Sequence, residues 1–171
     1  MRNQQLFRSF LSFALGIFIT FSQSHSAQIG LAALAGYGLA LGLVGAVIAM
    51  FKRSGLNPLQ ELPMAVLATL IGLFALLASL NEEAAYPAFI SLVTAWGIIS
   101  GAFELYQTRR LGFKTPRGNE AFISAIFALL LGALFLSVEL DVVSAVGFFG
   151  AYLTLSGVHL GISAFSPDKA K

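Results

Sequence analysis

The sequence contains no cysteine and few charged residues, and both shortages exclude whole classes of protein. Without thiols the chain has neither disulfides nor thiolate metal sites. Charged residues make up 11% of the sequence, against about 25% in soluble domains. Hydrophobic residues make up 57%. An ordinary soluble domain is therefore excluded, and the composition indicates an integral membrane protein.

The sequence also lacks the patterns that mark common catalytic sites. It has no H-E-x-x-H zinc motif, G-x-S-x-G nucleophile elbow, phosphate-binding loop or dinucleotide-binding fingerprint. Its few acidic residues include no pair inside a hydrophobic stretch that would suit metal binding or acid–base chemistry. We therefore expect a protein that is not an enzyme, with no catalytic residues, no metal and no cofactor.

Long hydrophobic stretches predict the fold class. A membrane-spanning helix needs about 20 mainly apolar residues. Six stretches approximate that length, at 6–22, 27–51, 62–80, 84–106, 120–138 and 141–165. The prediction is an all-α integral membrane protein in which residues 1–171 form one membrane domain of six transmembrane helices. These helices would form three tandem hairpins, at approximately 6–51, 62–106 and 120–165.

The first stretch is the weakest, because Arg8 interrupts a short apolar run. Arg8 could extend to the lipid headgroups if it lies in the first turn of a helix. The same stretch also fits a secretory signal peptide, since Arg2 and Arg8 precede an apolar core and the small residues of "SQSHSAQ". Both interpretations remain open at the level of sequence, and we prefer a retained span.

The distribution of basic residues predicts the orientation. All ten fall on one side of the six-span arrangement: Arg2, Arg8, Lys52, Arg53, Arg109, Arg110, Lys114, Arg117, Lys169 and Lys171. Basic loops remain in the cytoplasm, so we expect both termini there, in a bacterial inner membrane. Because the basic residues follow the spans in this way, they do not indicate a nucleic-acid partner.

A short pattern recurs on the second helix of each predicted hairpin. It consists of an aromatic residue followed five places later by glycine, in "YGLALG" 37–42, "WGIISG" 96–101 and "YLTLSG" 152–157. An apolar–glycine pair stands on each first helix, at Gly16, Gly72 and Gly132. The predicted repeat signature is thus Gly16, Tyr37, Gly42, Gly72, Trp96, Gly101, Gly132, Tyr152 and Gly157. This periodicity indicates one hairpin used three times in the same orientation.

With these repeats the chain resembles the HdeD-like family of small bacterial membrane proteins, which have six spans built from short two-span repeats. The likeness is strongest in "GLFALLASLNEEAAYPAFISLVTAWGIISGAFELYQTRR", residues 72–110, through Gly72, Pro87, Trp96 and Gly101. The resemblance implies a role in acid or general stress resistance. It implies no catalytic or binding residues.

Glycine pairs spaced four apart predict the sites of helix contact. They are Gly38 with Gly42, Gly97 with Gly101, and Gly157 with Gly161. Small residues let transmembrane helices approach closely, so these faces serve either internal packing or a homo-oligomer. On the second span we expect Gly36 and Gly45 to extend the small face into a groove for lipid or a partner helix. The expected partners are membrane lipid, a second copy or another membrane protein.

Glu104 and His159 are the candidate proton or ion site. A carboxylate within a span is a functional suspect by default. Glu104 precedes Arg109 by five residues, or about 7 Å along a helix, so pairing with Arg109, Arg110 or Lys52 near the membrane surface is the simpler interpretation. His159 lies at a similar depth and would meet Glu104 if the second and third hairpins packed side by side.

The opposite side of the membrane carries acidic residues and one histidine: His25, Glu82, Glu83, Glu139 and Asp141. Their simplest role is to set topology and to keep short turns soluble. The alternative is a pH-sensing outer face, because carboxylates and histidine change charge as the outside acidifies.

Three functional hypotheses remain. The preferred one is a non-enzymatic stress-resistance factor that acts by helix packing, oligomerisation or binding of lipid or partner proteins. The second is a small channel or proton-linked carrier that uses Glu104 and His159. The third is an accessory subunit of a larger membrane complex. A continuous polar path would favour the second, and an apolar glycine-packed core would favour the others.

Overall fold

The computed structural model describes residues 2–51 and 58–165 of the chain. These residues form α-helices joined by short turns, without β-strands, so the all-helical prediction is confirmed for them. The six helices found there are α1 Arg2–Phe21, α2 Ala27–Phe51, α3 Pro58–Ala78, α4 Glu82–Leu111, α5 Pro116–Ser137 and α6 Val142–Phe165.

Five of these helices, all except α3, are long and apolar enough to cross a membrane. Such a set indicates a multi-pass membrane protein. In α3 the part whose side chains are described is apolar and runs from Leu62 to Ala78. In α1 the window Gln4–Phe21 qualifies with a mean hydropathy of 1.2, the lowest of the five. The sequence therefore identified α1 as a marginal span.

Capping residues extend two helices beyond their predicted bounds. The side chain of Asn81 accepts hydrogen bonds from the backbone N–H groups of Glu83 and Ala84, so α4 begins at Glu82 rather than 84. It also continues to Leu111 and stops at Gly112, whose φ of 87° suits glycine. Thr115 caps α5, which begins at Pro116 rather than 120. The prediction trimmed both helices at polar residues that in fact lie within helical turns.

Three helix pairs make most of the tertiary contacts: α2 with α3, α4 with α5, and α1 with α6. The first two pairs are consecutive in the chain, and the third joins its first and last described helices. By contrast, the two helices of each predicted hairpin contact each other much less. The closest packing therefore runs between neighbouring predicted hairpins, and the pair α1–α6 closes the arrangement into a ring.

Glycine residues allow the two helices of each of these three pairs to approach closely. A Cβ atom added at Gly97 would lie 2.6 Å from the backbone nitrogen of Gly132, and one added at Gly157 would lie 2.6 Å from that of Phe13. At Gly72 the corresponding distance is 2.7 Å, to the nitrogen of Leu39. Backbones this close leave no room for a side chain, which is how small residues promote packing in lipid.

The centre of the bundle is formed by α2, α4 and α6, which contact one another, while each remaining helix lies outside, against two of the three. The largest buried side chains come mainly from the central helices and include Tyr37, Phe89, Trp96 and Phe149. Exposed large apolar residues such as Phe74, Leu130 and Phe165 cover the outer faces, as expected of a surface in contact with lipid. One core therefore lies on the axis of the bundle.

Candidate functional site

Glu104 forms an ion pair with Arg8, on the first helix of the chain. Arg8 Nη2 donates a hydrogen bond to Glu104 Oε1 at 2.9 Å. The Arg8 side chain is 31% exposed and that of Glu104 is 13% exposed, so the pair is largely withdrawn from the surface. Arg8 is the seventh residue of α1 and lies in its second turn, so the condition under which it would extend to the headgroups, a position in the first turn, is not met. Arg109 and Arg110 are not the partners of Glu104 either, and Lys52 lies outside the described residues.

The positions of the helices explain why Glu104 pairs with Arg8. The α1 helix lies between α6 and α2, across the bundle axis from α4, and none of its backbone approaches α4 closely. Only a long side chain can join these two helices, and the guanidinium of Arg8 reaches Glu104 on the axis. A carboxylate and a guanidinium at the same depth neutralise each other, which removes the need for either to reach water.

A second carboxylate, that of Glu120 on α5, lies in the same region. Gln5 Nε2 donates to both of its oxygens at 2.7 Å, and the hydroxyl of Ser163 donates to Oε2 at 2.6 Å. All three bonds come from neutral groups, and no cation lies within 4 Å of Glu120 among the described side chains. Glu120 therefore carries a carboxylate with hydrogen-bond partners but without a paired charge.

His159 joins this group through the backbone of α5. Its Nε2 lies 3.3 Å from the carbonyl oxygen of Glu120, and its ring packs edge-on against Phe127 with centroids 5.8 Å apart. No hydrogen bond joins His159 to Glu104 among the described residues, although the two interact electrostatically. The structure thus brings both halves of the predicted site into one region without direct contact. We call Gln5, Arg8, Glu104, Glu120, His159 and Ser163 the charged cluster.

The three aromatic residues of the predicted signature meet on the bundle axis. The rings of Tyr37 and Trp96 pack edge to face with centroids 5.4 Å apart, and Trp96 Nε1 donates to the hydroxyl of Tyr152 at 3.2 Å. On α1, Ser12 Oγ makes a long 3.5 Å contact with the Tyr37 hydroxyl. Both Tyr37 and Trp96 are 2% exposed. We call Ser12, Tyr37 and Tyr152 the hydroxyl layer.

Beyond the hydroxyl layer the axis becomes apolar. Phe89 packs edge to face against Phe135 at 6.1 Å and against Phe149 at 5.7 Å between centroids, and all three side chains are at most 3% exposed. We call these three residues the phenylalanine cluster. It lies toward the turns that carry Glu82 and Asp141, which we call the acidic end. The charged cluster lies toward Arg109, Arg110, Lys114 and Arg117, at the basic end.

Polar groups are distributed unevenly along the axis. Four polar side chains of the described residues are buried: Ser12, Ser100, Thr108 and Ser156. All four lie between the aromatic residues and the basic end, whereas the buried side chains toward the acidic end are apolar. Among the described residues, the buried polar side chains therefore lie in one half of the interior, beside apolar ones such as Leu160, and the other half is apolar.

The signature glycines lie at the closest helix contacts. Gly16, Gly72 and Gly132 face Thr154, Leu39 and Ile98 respectively, each of which follows a signature aromatic by two places. Gly42, Gly101 and Gly157 face Thr69, Leu129 and Phe13. The signature glycines therefore pack against other helices of the same chain.

Gly36 differs from the prediction. A Cβ atom added there would have no neighbour within 4 Å, whereas one added at Gly45 would lie 2.8 Å from Cβ of Ala65. Nine residues correspond to two and a half helical turns, so Gly36 and Gly45 project from opposite sides of α2. The predicted groove that joins them does not exist.

The residues predicted as an acidic face lie in or beside the turns at the acidic end. Glu82, Glu83, Glu139 and Asp141 are exposed and His25 is half-buried. No hydrogen bond or ion pair joins them to one another within the described ranges. Asp141 caps the start of α6, because its carboxylate accepts from the Ser144 hydroxyl at 2.6 Å and from the backbone N–H groups of Val143 and Ser144. The hydroxyl bond, followed by these backbone bonds, lowers the pKa of Asp141.

Sequence reasoning missed several members of the charged cluster and the hydroxyl layer. It placed Arg8 at the membrane surface, and it found no role for Glu120, Gln5, Ser12 and Ser163. Arg8 could have been found, because an arginine and a glutamate at equal depth in different spans are natural partners. Nothing in the sequence indicated that Gln5 and Ser163 would meet Glu120. No group of three or more His, Cys, Asp and Glu suited to a metal ion occurs in the described part of the chain.

Comparisons with family models, with curated proteins and with solved structures find no match to this chain.

Proposed function

We propose that this chain is a non-enzymatic protein of the bacterial inner membrane, similar to HdeD-like stress-resistance factors, with three hairpin repeats and both termini in the cytoplasm. The observation that carries the proposal is the one-sided interior. Polar groups enter from the basic end and stop at the hydroxyl layer, and the phenylalanine cluster fills the other half. Ion conduction needs a polar or hydrated path across the whole membrane, so this interior favours a closed bundle over a channel.

The glycine contacts support the same proposal and narrow its mechanism. Because the signature glycines pack against helices of the same chain, they stabilise the bundle. Partner proteins or lipid would then bind the exposed apolar faces of the outer helices. The third hypothesis, an accessory subunit, uses the same faces and differs in requiring a partner at fixed stoichiometry on co-purification.

The orientation rests on charge. Basic residues Arg109, Arg110, Lys114 and Arg117 are exposed at one end and acidic residues at the other. By the positive-inside rule the basic end faces the cytoplasm. The termini, with Lys169 and Lys171, lie outside the described residues. Fusion of a periplasm-active reporter after Lys171 should give no signal, and a signal from that fusion would reverse the assignment.

The test of the closed bundle is proton flux. Proteoliposomes that contain the full chain should show no pH equilibration above that of protein-free liposomes when a pH gradient is imposed. In parallel, a bacterial strain that lacks its own copy should regain survival after an acid challenge when the wild-type chain is expressed. Restored survival of the strain, together with the absence of proton flux in the liposomes, supports the proposal. Failure of the wild-type chain to restore survival under acid or other stresses would reject the stress role.

A second candidate function, a proton-linked carrier, is favoured by the Arg8–Glu104 pair and by the carboxylate of Glu120. Placing a charged group within a membrane costs free energy, so such groups occur mainly where they have a function. A carrier should move protons in the same liposomes, and Glu104→Gln should remove that movement. Flux that depends on Glu104 would therefore replace the closed bundle with the carrier.

A further inference from the structure

The hydroxyl layer contains more hydrogen-bond donors than it can use. Ser12, Tyr37 and Tyr152 bring three hydroxyl hydrogens but only one hydroxyl–hydroxyl hydrogen bond among the described residues, from Ser12 to Tyr37. The hydroxyl of Tyr152 also accepts the N–H of Trp96. At least one hydroxyl hydrogen therefore has no acceptor among the described residues. A buried polar hydrogen without a partner is costly in a membrane, so this layer is suited to an added acceptor.

Arg8 supplies further donors on the same side of the bundle. Its guanidinium has five N–H groups, and one bond, to Glu104, engages it in the structure. Ser12 follows Arg8 by four residues, so the two side chains lie on one face of α1, about 6 Å apart along its axis. Ser12 in turn contacts the hydroxyl of Tyr37, at 3.5 Å. Guanidinium and hydroxyl donors thus converge on the axis between α1, α2 and α6.

Arg8 and Glu104 lie toward the basic end, where the Arg8 side chain is 31% exposed, while the phenylalanine cluster fills the other half. The exposed basic residues at this end are Arg109, Arg110, Lys114 and Arg117. Such a rim raises the local concentration of anions at the entrance.

We propose that the guanidinium of Arg8 and the hydroxyl layer together form a binding site, entered from the basic end, for a small carboxylate that binds together with one proton. The carboxylate takes the place of Glu104 on the guanidinium of Arg8 and accepts the free hydroxyl hydrogen of Tyr37 or Tyr152. The proton is taken up by the displaced carboxylate of Glu104. Anion and proton enter together, so the charge of the site is unchanged. This inference does not depend on the stress role.

The titratable and charged groups that face Glu104 agree with proton uptake at this position. They are Arg8 on α1, Tyr37 on α2, Glu120 on α5, and Tyr152 and His159 on α6, whereas α3 contributes no described charged side chain here. Glu120 adds a second negative charge that Arg8 does not pair. Charged groups are costly within a membrane, so a proton is the natural companion of an anion that arrives beside these carboxylates.

The chain offers a built-in reporter of this site, because its one tryptophan, Trp96, touches the hydroxyl layer. The purified full chain in detergent is titrated with sodium acetate while Trp96 emission is recorded, at pH 5.5 and at pH 7.5, and a parallel titration uses sodium chloride. Acetate should produce a saturable change with tighter binding at pH 5.5, and chloride should not.

Tyr37→Phe combined with Tyr152→Phe removes both candidate donors and keeps both rings, so acetate binding should weaken about tenfold. The matched control is Tyr86→Phe, which removes a hydroxyl that donates to the carbonyl of Leu140 at the acidic end and should bind acetate as the wild type does. Arg8→Lys keeps the charge opposite Glu104 with fewer donors and should also weaken binding. An unsaturable response, equal saturation by chloride, or equal affinity of the double variant Tyr37→Phe/Tyr152→Phe and of Tyr86→Phe would overturn the proposal.

Discussion

A methyl group added at Gly97 would lie 2.6 Å from the nitrogen of Gly132 and 2.7 Å from the carbonyl oxygen of Ala128. Both neighbours are backbone atoms, which cannot rotate away as the end of a side chain can. At Gly36, in contrast, an added methyl group meets nothing within 4 Å. Two glycines in helices of the same bundle therefore have opposite tolerance for the smallest substitution.

Gly97→Ala should lower the free energy of unfolding by about 1–3 kcal/mol, because α4 and α5 must move apart to admit the methyl group. Gly36→Ala should leave it unchanged or raise it by up to about 1 kcal/mol, since alanine is the better helix former. Reversible unfolding in mixed detergent micelles measures both. Equal destabilisation by the two variants would contradict the close approach of α4 and α5.

The Arg8–Glu104 pair gives a second prediction at this scale. Arg8→Gln and Glu104→Gln each leave one charge without its partner in a largely buried position, and each should destabilise the chain by about 1–3 kcal/mol. The double variant should lose less than the sum of the two, with a coupling energy of at least about 0.5 kcal/mol. The same unfolding assay completes this cycle. Additive losses would mean that the two side chains do not interact in solution.

At the scale of the helix, the ends are set by individual capping side chains. Asn81, Thr115 and Asp141 precede α4, α5 and α6, and each accepts hydrogen bonds from N–H groups of the first turn. These caps satisfy donors that otherwise lack partners. Among the three, Asp141 alone carries a charge, so it alone makes a helix start depend on pH.

Asp141→Asn should flatten the dependence of stability on acid pH while the helix start is kept, because asparagine also caps well. The pKa of Asp141 is lowered in the folded chain, so its contribution is fully present above the pKa of the unfolded chain, about 4, and is lost as the pH falls through the lower folded value. Unfolding at pH 7 and at pH 3 compares wild type and variant. If wild type and variant lose the same free energy of unfolding between pH 7 and pH 3, the acid dependence comes from groups other than Asp141.

At the scale of the whole molecule, the ring of helix pairs is the main departure from the simplest interpretation of the sequence. The α1 helix packs against α6 along its length: Ser9 donates to the carbonyl of Gly157 at 2.7 Å, and an added Cβ at Gly161 would lie 2.9 Å from Ser9 Oγ. Contacts of α1 with α2, its neighbour in the chain, are few.

A cysteine pair tests this closure without interference, since the chain has no cysteine of its own. Ser9→Cys combined with Gly161→Cys should form a disulfide rapidly under mild oxidation, because the two positions are in contact. Ser9→Cys combined with Ser91→Cys, which places the second thiol on an exposed part of α4 near the acidic end, should not. Non-reducing electrophoresis after cleavage between the two positions reads the result. Failure of the first pair, or equal yield from both, would contradict the α1–α6 contact.

The sequence predicted the features that depend on local residue patterns. Composition and apolar length predicted an all-helical membrane protein, and the repeat signature identified Tyr37 and Trp96, which lie in the core. The pairing of helices was beyond reach, because a glycine such as Gly72 can pack within its own hairpin or against the preceding one with equal local merit. Gly36 was misassigned because its angular position on α2 was not compared with that of Gly45.

The charged cluster was predicted least well, for a related reason. Gln5, Glu120 and Ser163 lie far apart in the sequence and meet only through the ring closure. Arg8 and Glu104 could be matched by depth, but across which interface they meet depends on the same closure. Contacts that require the complete bundle are not encoded in any local pattern, whereas the glycine and aromatic positions are.

The α1–α6 pair also has a consequence for how the protein is made. The hydrogen bond from Ser9 to Gly157 joins residues 148 positions apart. At roughly 5–20 residues per second, α1 emerges about 7–30 s before its partner is synthesised. Glu104 follows Arg8 by 96 residues and Glu120 follows Gln5 by 115, so Arg8 and Gln5 lack these partners for most of that interval. The first helix is therefore the last to be assembled, and a chain truncated before α6 would leave it in the membrane as a target for quality-control proteases.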